Sequence, residues 1–221
     1  MQKVQNDPFT NKKKSEFFRS RAAYKLIEID QRCRLFNKSS KNIVDLGFAP
    51  GAWTQVAVHA LEKRKIDNYR ILGIDINDAV PYKGCSYIQG DLLKKETHLK
   101  IKQFFKGEEI DLIMSDMMVN CIGHSHYDHL GNMELCSAAM ILAFDQLKTR
   151  GNLVMKVWHG AEEELLELRM RIMFERLVRM KPESSRAESS ELFYIGLKKR
   201  DLNISLQELF SDKETLLKYS I

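Results

Sequence analysis

Long hydrophobic runs are missing from this 221-residue chain. No window approaches the roughly 18–20 consecutive apolar residues that cross a bilayer, so no membrane span is expected. Cysteine is scarce: Cys33, Cys85, Cys121 and Cys136 show neither CxxC spacing nor a paired framework. That excludes a disulfide-stapled scaffold and reads as reduced thiols. No internal repeat is visible, and the dinucleotide fingerprint G-x-G-x-x-G is absent. Acidic residues are sparse at the start, where residues 1–41 carry 11 Lys/Arg against 4 Asp/Glu. The remaining residues carry 24 against 26, so the net charge of +5 comes from the amino-terminal part.

That basic part holds Lys12, Lys13, Lys14, Arg19, Arg21, Arg32 and Arg34, with Phe17 and Phe18 between them. A phosphate backbone is a natural partner for such a face. The segment lacks the long acid-free Arg/Ser-rich run of a complete organelle transit peptide. Length and composition, with 44% hydrophobic and 29% charged residues, suit one soluble domain with a short extension. The expected organisation is a basic arm over 1–14, a domain over 15–200 and a tail over 201–221.

The most informative stretch is NIVDLGFAPGAW, Asn42 to Trp53. A short apolar strand runs into a glycine turn, and an apolar helix pattern follows it. Gly47 and Gly51 permit a tight turn and close approach to a ligand, and Pro50 stiffens the bend. Such a turn puts a ligand at the carboxyl end of the first strand of an α/β sheet. Asp75 closes the next strand, ILGIDI, where an acid suits ribose hydroxyls.

Strands and helices then alternate. Strands are expected at Ile43–Leu46, Arg70–Ile76, Ser86–Ile88, Ile110–Ser115 and Asn152–Trp158, with helices over 15–30, 53–63, 94–106, 132–148 and 161–173. Phe18, Ala22, Ile27 and Ile29 are the expected inward positions of the first helix. Two late strands, Glu175–Lys181 and Glu191–Lys199, flank the turn PESSRAESS. The fold class is therefore α/β, a mostly parallel seven-stranded sheet with helices on both faces and an antiparallel finish. The tail could add a small helix.

Four ionisable residues stand where apolar ones are expected. Lys156 interrupts NLVMKVW, a strand that otherwise reads as buried, and desolvated lysines serve as general bases. Asp116 ends IDLIMSD, at the same sheet edge as Gly47 and Asp75. Glu191 opens ELFYIGL, and Lys25 lies on the first helix in RSRAAYKL.

The ordered set RSRAAYKL, DLGFAPGAW, GID, QGD, SDM, VMKVW and KPESSRAESSELFYIGLKK resembles the FtsJ (RrmJ) family of S-adenosylmethionine-dependent rRNA ribose 2′-O-methyltransferases. NDPFT, LGFAPGAWTQVA and YDHLGNMELCSAAMILAFDQL are most similar to the fungal mitochondrial branch, which modifies a uridine in the A-loop of large-subunit rRNA. The resemblance implies a Rossmann-like fold and a catalytic tetrad of Lys25, Asp116, Lys156 and Glu191. It implies cofactor contacts at Gly51, Trp53, Asp75, Asp91 and Asp116, beside Gly47 and Pro50 of the first loop. Lys156 would be the base, with Asp116 orienting it and Glu191 holding Lys25 or the ribose; no metal is expected. The implied partner is rRNA or a precursor of the large ribosomal subunit, the implied compartment the mitochondrial matrix, and the protein is expected to be a monomer. One departure concerns the loop after the fourth strand, SDMMVN here, against the family's SDMAPN.

A competing constellation is His124-Ser-His-Tyr-Asp-His129, which is similar to the metal motif of metallo-β-lactamase-type hydrolases. It would make the chain a metal-dependent hydrolase or nuclease. Only His159 follows as a further histidine, so the segment reads instead as a polar loop beside the site. A non-catalytic RNA-binding protein is the third reading, and it leaves Lys156, Asp75 and Gly51 without a purpose.

Overall fold

The computed structural model describes residues 18–119, 123–160 and 162–219. Lys12, Lys13, Lys14 and Phe17 of the arm, the expected helix start at Ser15, and Cys121 lie outside the described residues. Helix α1 (Ala22–Cys33) forms where Ala23, Leu26 and Ile29 recur at three-residue spacing, and all three are fully buried. That spacing puts them on one helical face. The expected inward positions Phe18, Ala22 and Ile27 are half-buried at its flank, while Ile29 is central.

The remaining elements follow in order: β1 (Asn42–Leu46), α2 (Ala52–Lys63), β2 (Arg70–Asp75), β3 (Ser86–Gln89), α3 (Lys95–Phe104), β4 (Ile110–Ser115), α4 (Ser125–Gln146), β5 (Leu147–Trp158), α5 (Glu163–Met173), β6 (Phe174–Met180), β7 (Glu191–Lys199), α6 (Leu206–Leu209) and α7 (Lys213–Leu217). The seven strands form one sheet in the order β3-β2-β1-β4-β5-β7-β6. Pairings from β3 through β5 are parallel, and β7 runs antiparallel to both β5 and β6. The strand order reverses at β1, where sheets of this kind bind ligands beyond their carboxyl ends.

Helices α1 and α2 cover one face, where Leu26, Trp53 and Leu61 meet Ile43, Leu112 and Phe193. Helices α4 and α5 cover the other, where Met140 and Met170 meet Val44, Ile113 and Tyr194. Leu209 and Leu216 of the tail are fully buried in that second layer. Each such side chain contributes roughly 1.5–3 kcal/mol on burial.

Two departures from the expected elements matter. β5 starts at Leu147 rather than Asn152, with a register shift against β4 between Ile110 and Leu112. α4 starts at Ser125 rather than 132, so the HSHYDH segment is helical and not a loop. His124 stands at its N-cap, the Asp128 carboxylate accepts from the Gly123 amide at 3.2 Å, and buried His129 accepts from the Glu162 amide at 3.2 Å. These side chains turn to separate backbone partners and tie the helix start to the β5–α5 connection.

Among the described residues, five non-glycine residues hold a positive φ of 54–68°: Arg34, Lys65, Lys106, Arg150 and Lys198. An L side chain in that region costs roughly 1 kcal/mol or more. All five are cations on the side of the sheet opposite the first glycine turn: Arg34, Lys65 and Lys106 at or just beyond a helix end, Arg150 in the register-shifted first part of β5, and Lys198 next to the last residue of β7.

Candidate active site

Gly47, with φ of 75°, leaves β1, and its amide donates to the Ile74 carbonyl at 2.9 Å. A Cβ there would meet the Met117 backbone at 2.8 Å, so only glycine lets the chain pass beneath β4's exit. Gly51, with φ of 96°, is the N-cap of α2 and faces Phe48 and Arg19 with equal closeness. The peptide between Ala49 and Pro50 is cis. This loop borders a cavity of about 670 Å³, which Gly47, Asp75, Asp91 and Asp116 line together with Lys25, Lys156 and Glu191.

Lys156 and Glu191 share one face of the β5–β7 pair: Lys156 stands opposite Phe193 and Glu191 opposite Trp158. The Lys156 ammonium donates to the Asp116 carbonyl at 2.9 Å, and the Asp116 carboxylate lies 3.2 Å away in ionic contact. Lys25 reaches from α1 to both Glu191 oxygens at 2.8 Å and packs over the Phe193 ring at 5.7 Å. Burial works to raise the Glu191 carboxyl. The Lys25 charge and hydrogen bond, with Lys156 behind them, outweigh it and hold the group below the usual glutamate range. The four sequence-predicted residues therefore form two ion pairs, each largely shielded from water, in one cavity.

Asp75 and Asp91 occupy the opposite wall. One Asp75 oxygen accepts from the Ala49 amide at 2.8 Å and the other from Asn77 at 2.9 and 3.0 Å, so this acid ties the two loops together. Asp91 caps its own turn through Leu93 at 3.0 Å. Trp53 is placed differently from its expected role. It is buried in the core, donates its indole N–H to the Ala22 carbonyl at 2.9 Å and packs on Phe193, whereas Ala22 lines the cavity. Pro50 is exposed and contributes its carbonyl to Arg19.

The sequence matches the FtsJ-like methyltransferase family over residues 18–199. The chain belongs to that family. It is 39% identical over 191 residues to the ribosomal RNA large subunit methyltransferase E of Zymomonas mobilis, covering 86% of this chain and 83% of the relative. It is 37% identical over 201 residues to the enzyme of the same name from Methylobacillus flagellatus, covering 91% and 95%. A crystal structure of a ribosomal RNA methyltransferase from Plasmodium falciparum superposes with a TM-score of 0.72 at 32% identity, covering 82% of this chain and 98% of that one. Human methyltransferase-like protein 13 in complex with SAH shares the fold alone, with a TM-score of 0.55 at 11% identity over 89% of this chain and 90% of that one.

This FtsJ-like methyltransferase uses S-adenosylmethionine, and the cavity suits it. Gly47 lines the cavity and lets the chain turn there, whereas Gly51 packs against Phe48 and Arg19 behind the loop and is not part of the lining; Asp75 and Asp91 offer carboxylate oxygens to hydroxyl and amino groups. The SDMMVN departure is accommodated by packing. Val119 takes up space against Gly131 of α4, where an added Cβ would lie 2.8 Å from it, and Met117 and Met118 line the cavity.

Sequence reading missed two members of this FtsJ-like site. Arg19 donates to the carbonyls of Pro50 (3.0 Å), Val80 (2.8 Å) and Pro81 (3.2 Å), which clamps the two cofactor-side loops together. Asp45 lies beneath the glycine turn, where Oδ2 accepts from the Thr54 amide at 2.9 Å and hydroxyl at 2.7 Å while buried Oδ1 has no hydrogen-bond partner among the described residues. Burial pushes its carboxyl up to about 7; the Thr54 bonds oppose this, and the charges of Asp116 and Asp75 add to it.

A pH dependence follows. The folded chain keeps the Asp45 proton to about pH 7, whereas the unfolded chain releases it near pH 4. This group's contribution to stability is therefore complete below pH 4 and is lost as pH rises through 7. Asp45→Asn keeps an acceptor for Thr54 but cannot ionise. It should remove on the order of 4 kcal/mol of the stability difference between pH 4 and pH 8. Urea unfolding of the free protein across that range checks this, and an unchanged slope would contradict it.

Proposed function

We propose that this chain transfers the methyl group of S-adenosylmethionine to a ribose 2′-hydroxyl of large-subunit rRNA. The observation that carries the reading is the joining of Lys156–Asp116 and Lys25–Glu191 in one cavity with Asp75 and Asp91. The names of the relatives, each a ribosomal RNA large subunit methyltransferase, support the RNA class. The bound cofactor supplies a methyl group on a sulfonium, already strongly electrophilic. What remains for the protein is to align the hydroxyl and take its proton.

Lys156 is the group placed for that proton. As a neutral amine it can donate to the Asp116 carbonyl and face the Asp116 carboxylate, which leaves its lone pair for the substrate hydroxyl. Asp116 fixes the amine; its own amide donates to the Leu46 carbonyl at 3.1 Å, extending the sheet ladder into the site. Lys25, held by ionised Glu191, stands ready to contact the ribose from the other side. Arg21 and Arg186 add positive charge at the cavity wall, where flanking phosphates would lie. Attack on a 2′-hydroxyl selects RNA over DNA without further contacts.

The finer reading places the target at a uridine of the A-loop in mitochondrial large-subunit rRNA. The sequence resemblance to the fungal mitochondrial branch and the basic surplus of residues 1–41 support it. Ribose-methylation mapping in a deletion strain tests this. Loss of the mitochondrial A-loop methyl is expected, and an unchanged A-loop with a lost methyl elsewhere would overturn the target while keeping the chemistry.

A further inference from the structure

The described basic residues among the first 41 do not stay on one face. Arg19 and Arg21 stand at the carboxyl edge of the sheet beside the cavity, but α1 carries Arg32 and Arg34 to its far end. There Arg34 joins Lys148, Arg150 and Lys198 around a second cleft of about 450 Å³ at the amino edge. Measured along β4, Leu147 pairs with Ile110 and Met155 with Ser115, five residues or on the order of 16 Å apart at ~3.3 Å per residue, so Lys148 and Lys156 lie at opposite ends of β5 and one nucleotide cannot reach both sites.

Acids at this cleft do not cancel its charge. Asp111 pairs with Lys148 while also accepting the amides of Lys41 (2.8 Å) and Asn42 (2.6 Å). Glu175 alone serves both Arg150 at 3.5 Å and Lys198 at 3.6 Å, and all three groups are exposed. Arg34, Lys38 and Lys41 are exposed beside them. Three of the cleft's four cations, Arg34, Arg150 and Lys198, hold positive φ of 54°, 68° and 58°. Glycine would occupy those positions without strain, so the chain bears a backbone cost where a cation side chain stands. Asn37, Ser39 and Thr149 add neutral hydrogen-bonding groups to the same lining.

We propose that this amino-edge cleft is a second RNA-binding site, which grips phosphates of the folded rRNA away from the nucleotide being modified. The proposal rests on the rRNA reading of the active site, because only a large structured RNA spans both edges of the sheet. It gives the enzyme a preference for its target inside the long folded RNA over the same target in an isolated hairpin.

The test combines Arg34→Gly, Arg150→Gly and Lys198→Gly, which removes three cations and relieves three strained backbones, so the fold should persist. Filter binding to full-length large-subunit rRNA should weaken on the order of tenfold, and the log–log salt slope should fall by about two units. Methylation of full-length rRNA should show a raised KM at near-normal kcat, whereas a short target hairpin should be methylated as by the wild type. Unchanged rRNA binding and salt slope would overturn the proposal, as would equal losses on hairpin and full-length RNA. If the wild type methylates neither RNA nor the rRNA of a large-subunit precursor particle, the rRNA reading fails while the binding comparison still decides the cleft.

Discussion

Lys156→Ala is expected to lower methyl transfer on the order of 10²–10⁴-fold, the usual contribution of a positioned acid–base group. Cofactor affinity should stay near the wild-type value, because Lys156 sits on β5 against Asp116 and across the cavity from Asp75 and Asp91. Lys156→Arg keeps a cation beside Asp116 but offers no amine to take the proton, so it should be nearly as slow. A residue that merely balanced Asp116 would be rescued by arginine. Single-turnover rates and calorimetric titration with S-adenosylmethionine separate the two cases. Substantial activity in the alanine variant at neutral pH would reject Lys156 as the base.

Asp75→Ala should show the opposite pattern, a loss of cofactor binding with the base intact. Removing an acceptor from charged hydrogen bonds costs roughly 1.5–3 kcal/mol. The same substitution frees the Ala49 and Asn77 amides, which that carboxylate holds at 2.8 and 2.9 Å. Binding of S-adenosylmethionine should therefore weaken by tenfold or more, with KM for the cofactor rising accordingly. Calorimetry that shows undiminished affinity would mean that the ligand does not rest against this strand end.

Much of this was legible in the sequence because the fold writes its site at strand ends. A lysine in NLVMKVW and an acid after IDLIMS break apolar runs, and in a parallel sheet their positions converge. Asp45 sends the same signal within NIVDL, where the adjacent glycine turn masks it. Other features have no one-dimensional signature. Arg19 reads as one more cation of a basic arm until the fold brings Pro50, Val80 and Pro81 around it. Trp53 reads as a cofactor neighbour, yet its indole finds Ala22 and Phe193 because α2 packs that side against α1 and the sheet. HSHYDH reads as a loop because histidine and aspartate are poor helix formers; α4 starts there because its first turn is tied to Gly123 and Glu162. The split of Arg19 and Arg21 from Arg32 and Arg34 between two sheet edges follows from the direction and length of α1, about 18 Å for its twelve residues.

Methyl transfer to a ribose oxygen of rRNA is tested most directly by the position of the methyl group. Large-subunit rRNA lacking its modifications, incubated with the protein and methyl-labelled S-adenosylmethionine, should yield label in a nuclease-resistant dinucleotide and, after full digestion, in a 2′-O-methylated nucleoside. No label should appear with Lys156→Ala. Label on a base, or none on rRNA when another RNA is labelled, would contradict the account.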